Sequence, residues 1–147
     1  MGYIRFVLYT IETVVGYTWV RVPLSQQILK NNVMKKYLFV GEKRSATAIR
    51  MNVTWKDKRL SASHLYKALT YVGINWEECE FKNVFEDEIN EISSFNGIIV
   101  AMGRKVEKEL KKYKIEHEFI YHPATRGSVR NIDNYMEHVK SRISHIV

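Results

Sequence analysis

Two runs of almost unbroken apolar residues, "YLFV" at 37–40 and "IIVAM" at 98–102, constrain this chain more than any other feature. A strand with one wet face alternates apolar and polar residues, whereas a strand covered on both faces need not. Each run sits in a short stretch, 36–41 and 97–102, and shorter β-like stretches stand at 78–85 and 116–121. Helical patterns lie between them. In 61–73, Leu65, Ala68, Leu69 and Val72 recur at helical spacing and Gly73 is placed to end the helix. Residues 86–95 begin with three acids suited to a helix N-terminus. Residues 104–114 form a very basic helix with Val106, Leu110 and Tyr113 inward. Residues 128–143 carry Ile132, Tyr135, Met136, Val139 and Ile143 on one stripe. Strands alternating with helices predict an α/β fold, with a mostly parallel sheet covered on both faces.

In such sheets ligands bind beyond the carboxyl ends of the strands. Gly41, Glu42, Lys43, Arg44 and Ser45 follow the first strand, and Asn83 stands near the end of the second. Gly103 and Arg104 follow the third, and His122, Pro123, Ala124, Thr125 and Arg126 follow the fourth. A carboxylate, an amide and an imidazole therefore converge on one edge. Glu42 could orient or deprotonate a water in a partly dry pocket, or pair with Lys43 or Arg44 as a surface carboxylate. Asn83 offers donors and an acceptor suited to a base edge, or it closes a strand as a turn residue. Pro123 holds His122 in extended backbone. His64, His117, His138 and His145 have no partners at metal-ligand spacing and read as surface residues.

The charge balance narrows the partner. Twenty-three Lys and Arg against sixteen Asp and Glu give a net charge of +7, which suits a polyanion, nucleic acid before an acidic membrane surface. A basic protein with no polyanion partner stays open. The single Cys79 excludes an internal disulfide and a cysteine-built metal cage, and a reducing, cytoplasmic setting fits it. Within residues 1–33 the stretch "YIRFVLYTIETVVGYTWVRV" looks apolar, but Arg5 and Glu12 interrupt it, so neither a spanning helix nor a signal peptide is expected. A strand pair around Gly16, a membrane-surface segment, and a chain that truly starts at Met34 are the three readings of this extension.

The motifs at the strand ends, "GEKRS" (41–45), "FKNVF" (81–85) and "HPATRG" (122–127), resemble in their order those of the uracil-DNA glycosylase superfamily. "WKDKRLSASHLYKAL" (55–69) and "GIIVAMGRKVEKEL" (97–110) resemble that family's helix-leading segment and its strand–helix unit, so that the likeness runs over about 36–143. The resemblance implies a three-layer α/β/α sandwich around a four-stranded, mostly parallel sheet, over 34–147. It implies DNA, single- or double-stranded, as partner, no cofactor, no metal cluster and a monomer. It implies that Glu42 positions the attacking water and that His122 stabilises charge on the leaving base. Asn83 would read the flipped pyrimidine, with Gly41 and Ser45 beside it and Trp55 or Leu60 under it. Lys43, Arg44, Arg104, Thr125 and Arg126 would grip DNA, Arg126 at the position of a wedge. The chain departs from the family where "GEKRS" lacks a proline and where Ser45 replaces Gly or Tyr. A serine would leave room for a 5-substituent on the pyrimidine.

Three functions follow. The first is a monofunctional DNA glycosylase for uracil or a 5-substituted pyrimidine. The second is a nucleic-acid or nucleotide binder of the same fold without catalysis, which the "KRS" departure favours. The third is a nucleotide-processing enzyme on a generic α/β sheet, disfavoured because no G-x-x-x-x-G-K loop is present.

Overall fold

A computed structural model describes residues 6–13, 16–23 and 36–147, and the chain divides into two units, 1–34 and 35–147. In the first unit, strand β1 (Phe6–Thr13) pairs antiparallel with β2 (Gly16–Pro23), with Phe6 opposite Pro23 and Thr13 opposite Gly16. This is the strand-pair reading of the extension. Met34 lies outside the described residues.

The second unit is built on β3 (Tyr37–Gly41), which is buried along its whole length. Tyr37 and Phe39 point to one face, Leu38 and Val40 to the other, so the absence of alternation in its sequence reflects two covered faces. The chain continues through α1 (Ala46–Met51), α2 (Ser61–Val72), β4 (Cys79–Asn83), α3 (Ile89–Ser93), β5 (Ile98–Met102), α4 (Arg104–Lys112), β6 (Glu118–Ile120) and α5 (Ile132–Ile143). The sheet order is β4-β3-β5-β6, and every neighbouring pair is parallel. Leu65, Ala68 and Leu69 of α2 and Tyr135, Val139 and Ile143 of α5 cover the face of Phe39. Ile92 of α3 and Val106 and Leu110 of α4 cover the face of Val40. The result is the α/β/α sandwich with a four-stranded sheet, all-parallel in this case.

From β3 the chain travels outward to β4 and then returns to β5 on the other side of β3. The topological switch therefore lies between β3 and β5, whose carboxyl ends carry Glu42 and Arg104. Helix α5 secures the far edge. The Tyr135 hydroxyl donates to the Tyr121 carbonyl (2.8 Å), the Tyr121 N–H donates to His138 Nε2 (2.8 Å), and Arg142 Nε donates to the Phe119 carbonyl (3.1 Å). These side chains satisfy backbone groups in, and just after, a three-residue edge strand that has only β5 beside it, and they fix the residue just before His122.

Several expectations need correction. The helix over 86–95 is confined to Ile89–Ser93, because Glu86 and Asp87 turn their carboxylates back to Asn83 and Arg44 instead of joining the first turn. The helix over 128–143 is broken at Asn131, whose side chain caps α5 by accepting from the N–H groups of Asp133 and Asn134. Tyr113 caps the end of α4 and is 47% exposed, so it does not face inward. Of the four histidines read as surface residues, only His145 is exposed. His117 is tied through Nδ1 to the Ile115 carbonyl, and His64 Nδ1 is buried with no protein partner. Among the described residues, no helix is long and apolar enough to cross a membrane, and no group of His, Cys, Asp or Glu could hold a metal ion.

Candidate active site

The strand order sets Asn83, Glu42, Gly103 and His122 along one edge of the sheet. His122 follows β6 by two residues. Its Nδ1 accepts a hydrogen bond from the Ala124 N–H (3.0 Å), and its carbonyl accepts from the Thr125 N–H (2.9 Å). A ring whose Nδ1 accepts carries its proton on Nε2 when neutral. Burial depresses the His122 pKa below the ordinary histidine value, with the negative charge of Glu42 opposing in part. The neutral ring with an Nε2–H donor is thus the form the fold selects, with the charge of Glu42 acting against it.

Glu42 leaves the end of β3 with a third of its side chain exposed and pairs with Lys105 Nζ at 3.4 Å, not with Lys43 or Arg44. Its carboxylate is therefore more exposed than the sequence suggests, and it is not among the residues that line the His122 cavity described below. So exposed an ion pair is worth at most about 1 kcal/mol, and exchanging Lys105 for a water or a substrate costs the carboxylate little.

His122 lines a cavity of about 360 Å³, within the range of small-molecule sites. Val53, Trp55, Leu60 and Ala62 give it apolar surface, while Lys43 and Arg59 bring cations. Ser45 also lines it, but its hydroxyl accepts from the Ala48 N–H (3.1 Å) as the cap of α1. Arg59 and Val53 were absent from the sequence reading. They lie in an irregular segment whose position only the folded chain defines.

Trp55 decides what this cavity contains. Its Nε1–H donates to Asn83 Oδ1 (3.1 Å), its ring stacks on Phe81 (centroids 6.1 Å apart, 17° between planes), and it packs against the His122 ring with centroids 5.8 Å apart and planes at 65°. Asn83, only 8% exposed, donates its amide to Glu86 Oε1 (3.0 Å), and its own N–H goes to Asp87 Oδ2 (2.7 Å). Burial pushes the Glu86 pKa up, but hydrogen bonds from Arg44 and Asn83 and the charge of Arg44 outweigh it and hold the carboxyl below its ordinary value. Asn83 lines a second cavity, of about 390 Å³, on the other side of Trp55. The indole stands between Asn83 and His122. The sequence placed the two on one base, while the structure places them in separate cavities that share Arg44, Thr54 and Trp55 as walls.

The same contact explains Gly41. A Cβ there would lie 2.7 Å from Asn83 Oδ1 and 3.0 Å from the Trp55 ring, so the glycine makes room for its own chain. Trp55 is a wall held by Asn83 and Phe81, and Leu60 lines the same cavity while staying 43% exposed. The proposed DNA grips divide as well. Lys43 lines the cavity, and Arg126 is exposed beyond His122. Arg44 is engaged with Glu86, and Arg104 pairs with Glu107 and stacks over Phe119, 4.3 Å from its centroid. Thr125 acts through its backbone in the turn after His122.

No known protein family matches this chain, and comparisons with characterised proteins and with solved structures likewise found no match.

Proposed function

We propose that this domain is a DNA glycosylase of the uracil-DNA glycosylase type, releasing uracil or a 5-substituted pyrimidine from DNA by base flipping and water attack. The observation that carries the reading is His122. Its Nδ1 is committed to the Ala124 N–H, which leaves Nε2 to carry the proton of a ring that lines a cavity, and the charge of Glu42, at the same carboxyl edge of the sheet though not in the cavity lining, acts on that ring.

The chemistry needs these two groups. The bond from the sugar C1′ to the base nitrogen breaks with its electron pair leaving on the base. The sugar gains positive charge, the base negative charge. A donor aimed at a base oxygen stabilises the second, and a carboxylate near the sugar stabilises the first while orienting water. Water then adds its hydroxyl to C1′, and its proton ends on the departing base. A neutral imidazole donor serves a developing anion without a buried cation to desolvate. The +7 chain and the cations Lys43 and Arg59 at the cavity favour a phosphate-bearing substrate. Ser45 leaves space for a 5-substituent. Base recognition in this arrangement comes from the His122 side of Trp55, with Asn83 acting as the residue that positions the indole.

A second reading has its own support. Glu42 is engaged by Lys105, and the Asn83 amide is engaged by Trp55 and Glu86, so the same edge could hold nucleic acid or a nucleotide without hydrolysis. One assay separates the two. Oligonucleotides carrying uracil, 5-hydroxymethyluracil or thymine, single- and double-stranded, are incubated with the protein, and abasic sites are then cleaved with alkali. The glycosylase reading expects strand cleavage that falls by ~10²-fold or more in Glu42→Gln and by a similar factor in His122→Ala. Salt-sensitive binding with no cleavage in any substrate would instead establish the binder.

A further inference from the structure

The two cavities at the sheet's carboxyl edge differ in charge. The Asn83 cavity has Glu80, Glu86 and Asp87 in its wall, and its two cations are already engaged. Arg44, which both cavities share, is held by Glu86, and Lys56 Nζ donates to the carbonyls of Trp76 (3.3 Å) and Cys79 (2.7 Å). The His122 cavity has no carboxylate in its wall. Lys43 and Arg59 stand there instead, both exposed, and among the described residues neither side chain meets a carboxylate. The wall beside these cations is flat and apolar. Trp55 presents an indole fixed by Asn83 and Phe81, and Val53 and Ala62 are buried behind the surface they offer. The His122 ring adds a neutral donor at Nε2. Two uncompensated positive charges, an aromatic wall and one neutral donor thus share about 360 Å³.

We infer that this cavity takes a free nucleoside monophosphate, with its phosphate monoester on Lys43 and Arg59 and its base against Trp55. Charge selects the monoester. A phosphate monoester carries about −1.5 to −2 at pH 7, which two cations match, whereas each phosphodiester of a strand carries a single negative charge. Arg59 brings a planar fork suited to two phosphate oxygens, and Lys43 a point charge on a flexible stem. The indole suits the face of any base. Size agrees, because about 360 Å³ lies at the lower end for small-molecule sites, enough for one nucleotide and not for a run of them. The inference rests on the reading of this edge as a nucleotide-holding site, names the ligand of that site, and holds whether or not a glycosidic bond is cleaved there.

Isothermal titration calorimetry of the full chain tests this with 2′-deoxyuridine 5′-monophosphate, its methyl phosphodiester and 2′-deoxyuridine. The monophosphate is expected to bind about tenfold or more tighter than either of the others. Lys43→Ala and Arg59→Ala should each weaken the monophosphate by about tenfold and leave the nucleoside unchanged, because both side chains are exposed. Lys108→Ala, an equally exposed lysine on α4, should change nothing. Equal affinity for monophosphate and nucleoside would overturn the inference. So would unchanged binding in both cavity variants, because the phosphate would then lie elsewhere on a +7 chain. An oligonucleotide with a 5′-phosphate completes the comparison. If it binds through Lys43 and Arg59 while the free monophosphate does not, the ligand is a strand end and the inference fails, although the edge still holds nucleic acid. If neither binds, the inference and the nucleotide-holding reading fail together. Base release without monophosphate binding would also overturn the inference, and would leave the glycosylase reading standing.

Discussion

Gly41→Ala tests the central contact of the site, because its outcome can be worked from distances. Gly41 has ordinary negative-φ backbone, where alanine should stabilise by about 0.4–1 kcal/mol through the unfolded chain. The structure reverses that sign. The new methyl would stand 2.7 Å from Asn83 Oδ1 and 3.0 Å from Trp55 Cζ2, and neither neighbour is free to yield. The Asn83 amide is fixed by Glu86 and its N–H by Asp87, while the indole is fixed by Phe81 and by Asn83 itself. Relief requires breaking the Trp55–Asn83 hydrogen bond, which leaves a buried acceptor unsatisfied at about 1–3 kcal/mol, or overpacking at about 1–3 kcal/mol. Set against the gain of about 0.4–1 kcal/mol, either route leaves a net loss of about 1–2 kcal/mol. At about 4 °C per kcal/mol for a domain of this size, Tm should drop by roughly 4–8 °C. Thermal unfolding followed by circular dichroism measures this. A double-mutant cycle with Trp55→Phe, which shortens the ring and removes its donor, should show coupling of at least about 1 kcal/mol. A stabilised Gly41→Ala, or additive effects in the cycle, would refute the packing.

Two further perturbations probe the edge that carries His122. Tyr135→Phe removes a buried hydroxyl that donates to the Tyr121 carbonyl at 2.8 Å. It should cost about 1–3 kcal/mol in denaturant unfolding, and an unaltered midpoint would show that Tyr135 acts by packing alone. Stability should also depend on pH through His122 and His138. Burial depresses both pKa values, aided at His138 by the charge of Arg142, and the Tyr121 N–H needs His138 Nε2 unprotonated. The unfolded chain therefore binds more protons than the folded one once pH falls below about 6.5. The stability these groups contribute is complete above that value and is lost as pH falls through their lower folded values. Tm measured from about pH 8 to about pH 5 should decline on the acid side, and His138→Gln should flatten part of the slope. A Tm that rises toward acid would contradict the assignment.

Much of the fold was legible because two physical signals run through it. The strands of the second unit lie between helices on both faces, so 37–40 and 98–102 could be wholly apolar, and α2 and α5 carry stripes that match buried Leu65, Leu69, Tyr135 and Val139. The errors fall where those signals are absent. Helix α1 buries no residue, so its six residues show no periodicity to read. The acids at 86–88 look like a helix start by charge, yet Glu86 and Asp87 gain more as acceptors for Arg44 and Asn83. Asn131 looks like one more polar residue on a helical stripe, and only its φ and ψ reveal a cap.

The site was legible to the extent that strand ends are. Glu42, Asn83 and His122 lie at or just beyond carboxyl ends, and those ends follow from the apolar runs. What stands between the three residues does not follow from strands. Trp55 reaches its place from a short turn flanked by Asn52, Lys58 and Leu60, three non-glycine residues at positive φ, and no periodic pattern predicts such a path. One signal did exist. A glycine closing a strand that is otherwise bulky and buried weakens the strand unless something needs its missing side chain. Gly41 is that glycine, and what needs the space is the Trp55 indole with the Asn83 amide behind it. Read this way, the Gly41–Glu42 pair has two separate purposes. The glycine admits the wall that partitions the edge into two cavities, and the glutamate supplies a negative charge that acts on His122.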